Sequence, residues 1–436
     1  MSREYKSWGR LTTNNCTNII QIDNHLQATN IIFSKDEQYL SFGNGRSYGD
    51  VAYNDKGIIL DGISSNRFIE FDRNNGVLVA ESGITLREIL QLIVPCGWFL
   101  AVTPGTQFIT LGGAVANDVH GKNHHCDGSF GNFTLEFELL RSDGSRLVCS
   151  RLQNPEYFYA TIGGIGLTGY ISWVKIQLAQ IQNSYIVTNA YRFNNLHDFF
   201  ALNSQLEDKN KYTVSWIDCA TSMSQLGRGI YFTGEHAGLT SEHIKHKHKH
   251  KSKTFPFDPP FSLVNSLSLK AFNFLYYNKS LKNNIEHYEP FFYPLDSLYK
   301  WNRIYGKSGF YQYQCVVPMD NAYDCILAML REIKQSGLGS FLAVLKTFGD
   351  KVSGGVLSFP RRGVTLALDF PNAGDKTLEL FTKLDNMLHD AGGALYMAKD
   401  ARMNREMFLA GYPRINEFLK YKDPQFSSNL WRRVCN

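Results

Sequence analysis

Residues Thr103–Asn132 read TPGTQFITLGGAVANDVHGKNHHCDGSFGN, a stretch that combines glycines and small residues with three histidines and one lysine. Glycine lets a backbone approach a ligand closely or adopt positive φ. The polar side chains supply hydrogen-bond donors of several geometries. A segment with so little core periodicity predicts a ligand-binding surface. The alternative is a set of glycine-rich turns with solvated histidines, and a motif of this kind needs its structural context.

Two further glycine-rich segments flank this stretch. Residues 43–50 read GNGRSYGD and follow an apolar strand. Consecutive backbone N–H groups in such a turn can hold a phosphate, although a hairpin turn is the alternative. Residues 163–169 read GGIGLTG and contain G-x-G-x-x-G, but they open the alternating strand YISWVKIQL. A Rossmann site needs a helix there and an acidic residue about 20 positions later, so that interpretation fails.

The overall composition is that of a globular protein. The chain has 436 residues, of which 43% are hydrophobic and 19% charged, and this length predicts two domains. A net charge of +5 is too small to indicate a nucleic-acid partner. We find no apolar run of transmembrane length and no apolar signal segment. The eight scattered cysteines lack a CxxC pair, which is typical of reduced thiols in a cytoplasmic protein.

The middle of the chain predicts an antiparallel sheet with helices on one side. Amphipathic helix patterns end at Gly337 and Gly392, and strand patterns appear in GFYQYQCVVP, SFLAVLKTFG and VTLALDF. Gln312 and Gln314 share one face of the first of these strands. Lys346 on the second either reaches the surface or points into a cleft.

A basic tract interrupts this region at residues 243–251, HIKHKHKHK. Alternating lysines repel a metal ion, so we interpret the tract as a solvated loop, with anionic lipid headgroups as the functional alternative. The next segment contains Phe255, Phe257 and Phe261, followed by a helix pattern over residues 263–275. We expect most of these aromatic side chains in the core, and a membrane-surface lip is the alternative.

Several of these segments together resemble the vanillyl-alcohol-oxidase superfamily of FAD enzymes, which has a PCMH-type FAD-binding fold. They are GNGRSYGD, PGTQFITLGGAVANDVHGKNHH, GSFGN, GGIGLTG and the late YMAKDAR. With WNRIYG and QYQ added, the chain is most similar to the decaprenylphosphoryl-β-D-ribose 2′-oxidase family. The resemblance extends from Gly43 to Arg402.

The resemblance implies an α+β protein with a two-domain layout. Residues 1–182 and 394–436 would form the FAD-binding domain. Residues 183–393 would form an inserted substrate-binding domain, an antiparallel sheet flanked by helices. Superfamily members that bind flavin covalently often carry histidine in G-x-G-H-S. This chain has Arg46 at that position, so the resemblance implies non-covalent FAD.

The resemblance also implies roles for individual residues. The cofactor contacts would be Gly43, Asn44, Gly45, Arg46, Ser47, Tyr48, Gly49, Gly105, Thr110, Leu111, Gly112, Gly113, Asn117, Val119, His120, Ile171 and Tyr396. The substrate contacts would be Lys122, Trp216, Gln312, Gln314, Lys346 and Thr365. The catalytic candidates are Lys399, His120 and Tyr48, with Lys399 stabilising negative charge or contacting the reacting hydroxyl. No metal site is predicted, because a flavin site accounts for the histidines.

The implied reaction oxidises the 2′-hydroxyl of a polyprenyl-phosphate-linked furanose to a keto sugar. A separate NAD-dependent short-chain reductase would complete the epimerisation, which in cell-envelope synthesis produces arabinofuranose, and a quinone or oxygen would accept the electrons. Mycobacterial members have asparagine and cysteine where this chain has Thr365 and Ala367, so the substrate contacts differ. Two alternatives are an oxygen-using sugar-lactone or alditol oxidase and a non-catalytic metal- or membrane-binding protein. We expect a cytoplasmic protein, with a peripheral contact at the inner membrane face as a further option.

Overall fold

The structure is a computed structural model that describes residues 4–12, 14–28, 30–238 and 252–435. The predicted basic tract at residues 243–251 lies outside these ranges. The strands of the first part are β1 Asn18–Gln21, β2 Tyr39–Phe42, β3 Ile58–Asp61, β4 Phe68–Asp72, β5 Val77–Glu81, β6 Trp98–Leu100, β7 Thr134–Leu140, β8 Arg146–Ser150 and β9 Tyr170–Gln180. Its helices are α1 His25–Ala28, α2 Leu86–Ile93, α3 Leu111–Ala116, α4 His124–Asp127, α5 Phe130–Phe133 and α6 Pro155–Thr161.

These strands form two sheets. β1, β3 and β2 make a three-stranded parallel sheet, and an antiparallel sheet has the order β4-β5-β9-β7-β8, with β6 also paired to β9. The segment after GGIGLTG is the strand β9, as its alternating pattern predicted. The capping box at Thr85 and Glu88 opens α2, whose apolar side packs under the second sheet.

The next part of the chain contains most strands of a larger sheet and a separate pair, β13 with β15. The strands of this part are β10 Tyr185–Phe193, β11 Tyr212–Ile217, β12 Gly229–His236, β13 Lys253–Thr254, β14 Asn284–His287, β15 Leu298–Tyr299, β16 Phe310–Val317, β17 Ala343–Phe348 and β18 Gly363–Pro371. Its helices are α7 Leu196–Leu206, α8 Ser266–Asn278, α9 Tyr288–Phe292, α10 Ala322–Ser336 and α11 Asp375–Asp390. The last part contains β19 Ala394–Leu395, α12 Arg405–Gly411, α13 Ile415–Phe418 and α14 Asn429–Cys435.

The large sheet has the order β14-β10-β12-β11-β17-β18-β16-β19, and every neighbouring pair is antiparallel. One face carries buried apolar side chains such as Leu345, Leu366 and Leu368, which pack in one core with α7, α10 and α11. The prediction of an α+β protein with an antiparallel sheet is therefore confirmed. Helices α7, α10 and α11 lie on one side, whereas α8 packs against Trp216 on the other face. The other face turns toward the glycine-rich segments.

The C-terminal segment returns to both parts of the molecule. β19 extends the large sheet by pairing with β16, while Tyr48 N–H donates to the Ala398 carbonyl at 3.0 Å. Gly49 lies so close to this return that a Cβ atom would overlap the carbonyl oxygen of Asp400. The contact holds the first glycine loop against the segment that carries Lys399.

The expectation for the aromatic segment before and within α8 was wrong. Phe257, Phe261 and Phe274 are largely exposed, and α8 buries Leu269, Asn273 and Tyr277 instead. The apolar stripe predicted over residues 263–275 therefore faces outward. Across the described ranges, no helix is both long and apolar enough to span a bilayer.

Candidate active site

A cavity of about 780 Å³ lies between the glycine-rich segments and the open face of the large sheet. This volume is within the range of ligand pockets, about 300–1,000 Å³. The first part of the chain supplies residues from all three glycine-rich segments, and the C-terminal return supplies Tyr396, Ala398 and Lys399. Segments that are far apart in sequence thus share one binding space.

The sheet wall of the cavity is built from alternate positions on neighbouring strands. β18 contributes Thr365, Ala367 and Asp369, β17 contributes Val344 and Lys346, β16 contributes Gln312 and Gln314, and β11 contributes Val214. The register sets Gln312 opposite Asp369 and Lys346 opposite Thr365. Successive side chains in a strand point to opposite faces, so each polar residue here has an apolar neighbour in the core behind it.

The GNGRSYG loop forms the opposite side. Gly45 has φ +59°, and a Cβ there would lie 2.6 Å from the Lys6 carbonyl oxygen, so the turn requires glycine. Within the described residues, no protein acceptor takes the backbone N–H of positions 44–47. Such a run of N–H groups can hold the pyrophosphate of a dinucleotide.

Arg46 lies inside this loop, with its guanidinium carbon 4.3 Å from the centre of the Trp8 ring and 5.2 Å from that of Phe108. Its Nε is buried and has no hydrogen-bond partner among the described residues. Burial lowers the pKa of Arg46, and the Asp296 carboxylate opposes this shift. The Arg46 guanidinium is therefore a cation held beside two aromatic rings, and its Nε–H is available to donate to a ligand.

The glycine-rich segment Thr103–Asn132 also leaves space and polar atoms for a cofactor. A Cβ at Gly105 would meet no protein atom within 4 Å, although this residue lines the cavity. The amide nitrogen of Asn44 donates to the Phe108 carbonyl at 2.8 Å, which ties the two segments together. The Tyr396 hydroxyl donates to the Asn117 carbonyl at 2.9 Å, and the side-chain oxygen of Asn117 is buried without a partner in the described part of the chain.

The turn from Asn117 to His120, which follows α3, is held by Asp118. This buried carboxylate accepts from Ser353 and Ser358 at 2.6 Å each and from Gly131 N–H at 2.8 Å. Asp118 has φ +40°, in the left-handed region. Its hydrogen bonds hold that conformation and so orient the side chains on either side of it.

His120 lies between the cofactor segment and the sheet. Its Nε2 is 3.0 Å from the Gln314 side-chain nitrogen, and its Nδ1 is buried without a partner among the described residues. Burial lowers the pKa of His120 well below its usual value, and the charge of Lys346 lowers it further. The neutral ring accepts from Gln314 at Nε2, so Nδ1 carries the proton and can donate it in a hydrogen bond.

Three lysines line the cavity close to the sheet. Lys346 Nζ donates to the Gly121 carbonyl at 2.9 Å, and Lys122 Nζ donates to the Phe292 carbonyl at 3.3 Å. Burial lowers the pKa of Lys346 to about 7 and that of Lys122 to about 8, and neighbouring lysines add to the effect at Lys346. A negative charge close to these ammonium groups would raise their pKa values again, so the lysines favour an anionic ligand.

Asp369 and Lys399 form the charged centre of the cavity. Asp369 is fully buried, its Oδ1 accepts from Gln312 Nε2 at 2.6 Å, and its Oδ2 has no partner among the described residues. Lys399 Nζ lies 3.8 Å from the centre of the Tyr48 ring. Burial raises the pKa of Asp369 and lowers that of Lys399, while their mutual attraction opposes both shifts. Both groups line the cavity, so a ligand there can contact them.

Most residues predicted for the site line this cavity. They are Gly43, Asn44, Gly45, Arg46, Ser47, Tyr48, Gly105, Thr110, Gly112, Gly113, Asn117, Val119, His120, Ile171 and Tyr396 from the cofactor set, Lys122, Gln312, Gln314, Lys346 and Thr365 from the substrate set, and Lys399.

Three predicted residues lie outside the cavity wall. Gly49 packs against Asp400. The side chain of Leu111 is fully buried in the core between α2 and the second sheet. Trp216 donates from its indole nitrogen to the Phe341 carbonyl at 3.0 Å, and its ring packs against Tyr276 of α8. Helix α8 covers this part of the sheet, so Trp216 does not line the cavity, and its contact with the substrate stays a prediction.

Sequence reasoning missed both aspartates that line the cavity. Asp369 belongs to the same alternating strand as Thr365 and could have been found by extending that alternation two steps, through Ala367. Asp296 accepts from Gln107 N–H at 2.8 Å beside Arg46, and burial raises its pKa to about 6. It comes from an irregular segment without a local signal.

Comparison with known proteins agrees with this geometry. Residues 24–150 match the FAD binding domain family. The chain is 35% identical over 408 residues to the decaprenylphosphoryl-β-D-ribose oxidase of Mycolicibacterium smegmatis, covering 90% of this chain and 88% of that protein. The chain belongs to the decaprenylphosphoryl-β-D-ribose oxidase family.

Two further relatives set the limits of the match. An uncharacterised protein of Streptomyces coelicolor is 30% identical over 369 residues, covering 80% of this chain and all of that protein. The L-gulonolactone oxidase of Mus musculus is 27% identical over 137 residues, covering 31% of this chain and 30% of that protein. The similarity to decaprenylphosphoryl-β-D-ribose oxidases thus spans nearly the whole chain, while that to the lactone oxidase is partial.

Membership of this family establishes the cofactor and the reaction class. The protein is an FAD-dependent oxidoreductase. The unpartnered donors at Arg46 and positions 44–47, together with the space beside Gly105, fit a bound FAD. The resemblance inferred from the sequence is confirmed.

Proposed function

We propose that this protein oxidises the 2′-hydroxyl of a polyprenyl-phosphate-linked ribofuranose to a keto sugar, with FAD held non-covalently. The observation that carries this proposal is the lysine set Lys122, Lys346 and Lys399 in one cavity, opposite the cofactor segments. FAD accounts for anionic charge at the glycine loops, where Arg46 lies. The lysines near the sheet match a second anionic group, the phosphate of the sugar substrate.

Bound FAD would supply the two-electron oxidant for the alcohol. The chain's own residues bind the sugar and move its proton. Asp369 accepts the hydroxyl proton at Oδ2, the oxygen that lacks a partner within the described chain, while Gln312 holds Oδ1. Lys399 stabilises the negative charge that develops near the reacting centre. The face of the Tyr48 ring contacts the Lys399 ammonium group and stabilises it by a cation–π interaction.

Gln314 and His120 orient the sugar in this scheme. Their mutual hydrogen bond fixes the imidazole ring, so the Nδ1–H of His120 is a preset donor. Thr365 lies 3.5 Å from the Gln314 nitrogen and adds a hydroxyl to the same wall. Rigid donors of this kind reduce the reorganisation needed when the substrate reacts.

We infer a division of the chain into an FAD-binding domain, residues 1–182 and 394–436, and an inserted substrate domain, residues 183–393. The separate sheets of the two regions support this division. The pairing of β19 with β16 supports a close connection at the return point. By the chemistry of epimerisation, a separate NAD-dependent short-chain reductase would reduce the keto product, and a quinone or oxygen would reoxidise the flavin.

The purified protein is expected to be yellow and to release its FAD on acid precipitation, because Arg46 offers no nucleophile for a covalent link. Anaerobic addition of a short-chain polyprenylphosphoryl-β-D-ribose should bleach the flavin absorption. An aldono-lactone at the same concentration is the control. If the lactone bleaches the flavin and the phosphorylated ribose does not, the protein is a sugar-lactone oxidase. A colourless preparation that cannot be reconstituted with FAD would contradict both.

The affinity for the phosphorylated sugar should fall as pH rises above about 7. Lys346 is charged below its pKa of about 7, and above it the free protein must take up a proton to bind the anion. Affinity should therefore be constant below pH 7 and decline by up to about tenfold per pH unit above it. Binding of the non-oxidisable 2′-deoxy analogue, followed by the flavin spectrum, measures this.

Lys346→Met should weaken this binding at low pH by about 10- to 100-fold and flatten the profile, because a charged hydrogen-bonding group is lost. Lys334→Met is the matched control, since Lys334 also donates to a backbone carbonyl, that of Ala220 at 2.9 Å, outside the cavity. A Lys346→Met protein with an unchanged pH profile would remove Lys346 from phosphate recognition.

A further inference from the structure

The segment from Ser252 to Ile285 carries a cluster of exposed apolar side chains. Five of them are between 57% and 77% exposed, namely Phe257, Phe261, Leu267, Phe274 and Leu275. Single exposed apolar residues are ordinary, but a cluster of large ones marks an interaction surface. We refer to these five residues as the apolar face.

The sequence of helix α8 contains two stripes of residues, and the exposed stripe includes three members of the apolar face. Its inward stripe is Leu269, Asn273 and Tyr277, which repeat every four residues. A second stripe, Leu267, Ala271, Phe274 and Leu275, follows the spacing i, i+4, i+7 and i+8 and is exposed. The helix therefore presents an apolar stripe to the outside in addition to the side that anchors it.

The inner side of the same segment belongs to the active-site wall. Val264 and Leu269 pack in one cluster with Tyr48 and Trp301. β13 pairs with β15, and Thr254, Leu298, Tyr299 and Trp301 line the cavity. The apolar face and the cavity are thus two sides of one structural unit.

The charge of this segment decides between partners. It contains Lys253, Lys270, Lys279 and Lys282, and Asp258 is its single carboxylate. Asp258 is already paired with Arg10 at 2.6 Å and with Arg303 at 3.5 Å. Among the described residues these lysines form no ion pair, although Lys279 Nζ lies 3.7 Å from the centre of the Tyr276 ring. Exposed apolar side chains among such lysines are the pattern of an interfacial helix on an anionic lipid surface.

We propose that the apolar face docks on the surface of an anionic phospholipid bilayer. Leu267, Phe274 and Leu275 enter the boundary between headgroups and acyl chains, and the lysines of the segment contact lipid phosphates. A polyprenyl-phosphate sugar can then reach the cavity while its lipid chain stays at the bilayer. This last step rests on the proposed substrate, whereas docking itself does not.

Co-sedimentation of the FAD-loaded protein with vesicles tests the proposal. Wild-type protein is expected to bind vesicles of phosphatidylcholine with phosphatidylglycerol, and to bind phosphatidylcholine alone much more weakly. Added salt should weaken the binding. The triple variant Leu267→Gln, Phe274→Gln and Leu275→Gln should lose affinity on the order of tenfold or more, because the buried apolar area is removed.

A matched control changes exposed apolar residues elsewhere, with Ile32→Gln, Leu152→Gln and Met223→Gln. This variant should bind vesicles as the wild type does, and both variants should retain FAD and the oxidation rate of a short-chain soluble substrate. Docking is refuted if the wild type ignores anionic vesicles or if the first triple variant binds them normally. A wild-type dimer that the first variant converts to a monomer, without vesicle binding by either, assigns the face to a second copy of the chain.

The two proposals can fail separately. Vesicle binding without oxidation of any polyprenylphosphoryl sugar leaves the docking face intact and removes the substrate. Oxidation of a short-chain substrate without vesicle binding leaves the enzyme intact and removes the docking face.

Discussion

Replacing Asp369 with asparagine is expected to slow reduction of the bound FAD by the sugar by about 10²- to 10⁴-fold, the usual effect of losing a general base. Asparagine has almost the same shape and can still accept from Gln312 at Oδ1. It has no basic oxygen to take the substrate proton. FAD content and thermal unfolding should stay near the wild-type values, and rapid-mixing measurements of flavin bleaching give the rate.

The pH profile provides a second readout for the same residue. Burial raises the pKa of Asp369, so the carboxylate is protonated at a higher pH than an ordinary aspartate. The wild-type rate should therefore fall as pH decreases through this raised pKa, because the protonated group cannot accept another proton. The Asp369→Asn protein should lack this acidic limb.

Asp296→Asn is the matched control. This residue is the second carboxylate of the cavity within the described chain, and burial also raises its pKa. It lies beside Arg46, on the cofactor side, and its substitution should change FAD affinity more than the rate of reduction. Equal rate losses in the two variants would mean that the cavity needs negative charge in general, and Asp369 would no longer be the base.

Replacing Lys399 with methionine is expected to slow flavin reduction by about 10²- to 10³-fold, the loss seen when a positioned electrostatic stabiliser is removed. Methionine keeps much of the volume against the Tyr48 ring but removes the charge. FAD should remain bound, because the glycine segments and Arg46 are untouched. The midpoint potential of the bound FAD should become more negative, since a nearby cation favours the added electrons.

Lys346→Met separates chemistry from binding in this comparison. Both lysines line the cavity and both have pKa values lowered by burial. Lys346→Met should raise the sugar concentration needed for half-maximal reduction, with a smaller effect at saturation. If Lys399→Met reduces FAD at the wild-type rate with saturating sugar, Lys399 has no role in the chemical step.

Local sequence rules predicted much of this site. Gly45 requires positive φ, and that requirement is visible in the glycine pattern. The alternation in GFYQYQCVVP predicted that Gln312 and Gln314 share one strand face, and VTLALDF was predicted as a further strand. The resemblance to known FAD enzymes then connected segments that periodicity alone treats separately. Lys346 illustrates the limit, since its pattern allowed both a surface and a cleft position.

The differences from the expected positions came from contacts between elements. Trp216 has the chemistry of a pocket residue, yet α8 covers it. The stripe over residues 263–275 has the spacing of a core helix, but the described structure packs the helix through another side. Periodicity identifies an apolar helix face but does not tell whether the protein core or a lipid surface contacts it, because both environments favour the same apolar side chains.

The sequence by itself determined the three glycine-rich segments, the strands with their two faces and the family of the protein. The segments and strands depend on the conformational range of glycine and on the period of side chains along a strand, which are local properties, and the family was inferred from a resemblance of the combined motifs. Only the tertiary structure decided that Asp369 lies opposite Gln312 and that Lys399 reaches the same cavity from the C-terminal return. Strand register and chain return depend on packing between distant segments, and this packing also shifts the pKa values that the proposed chemistry uses.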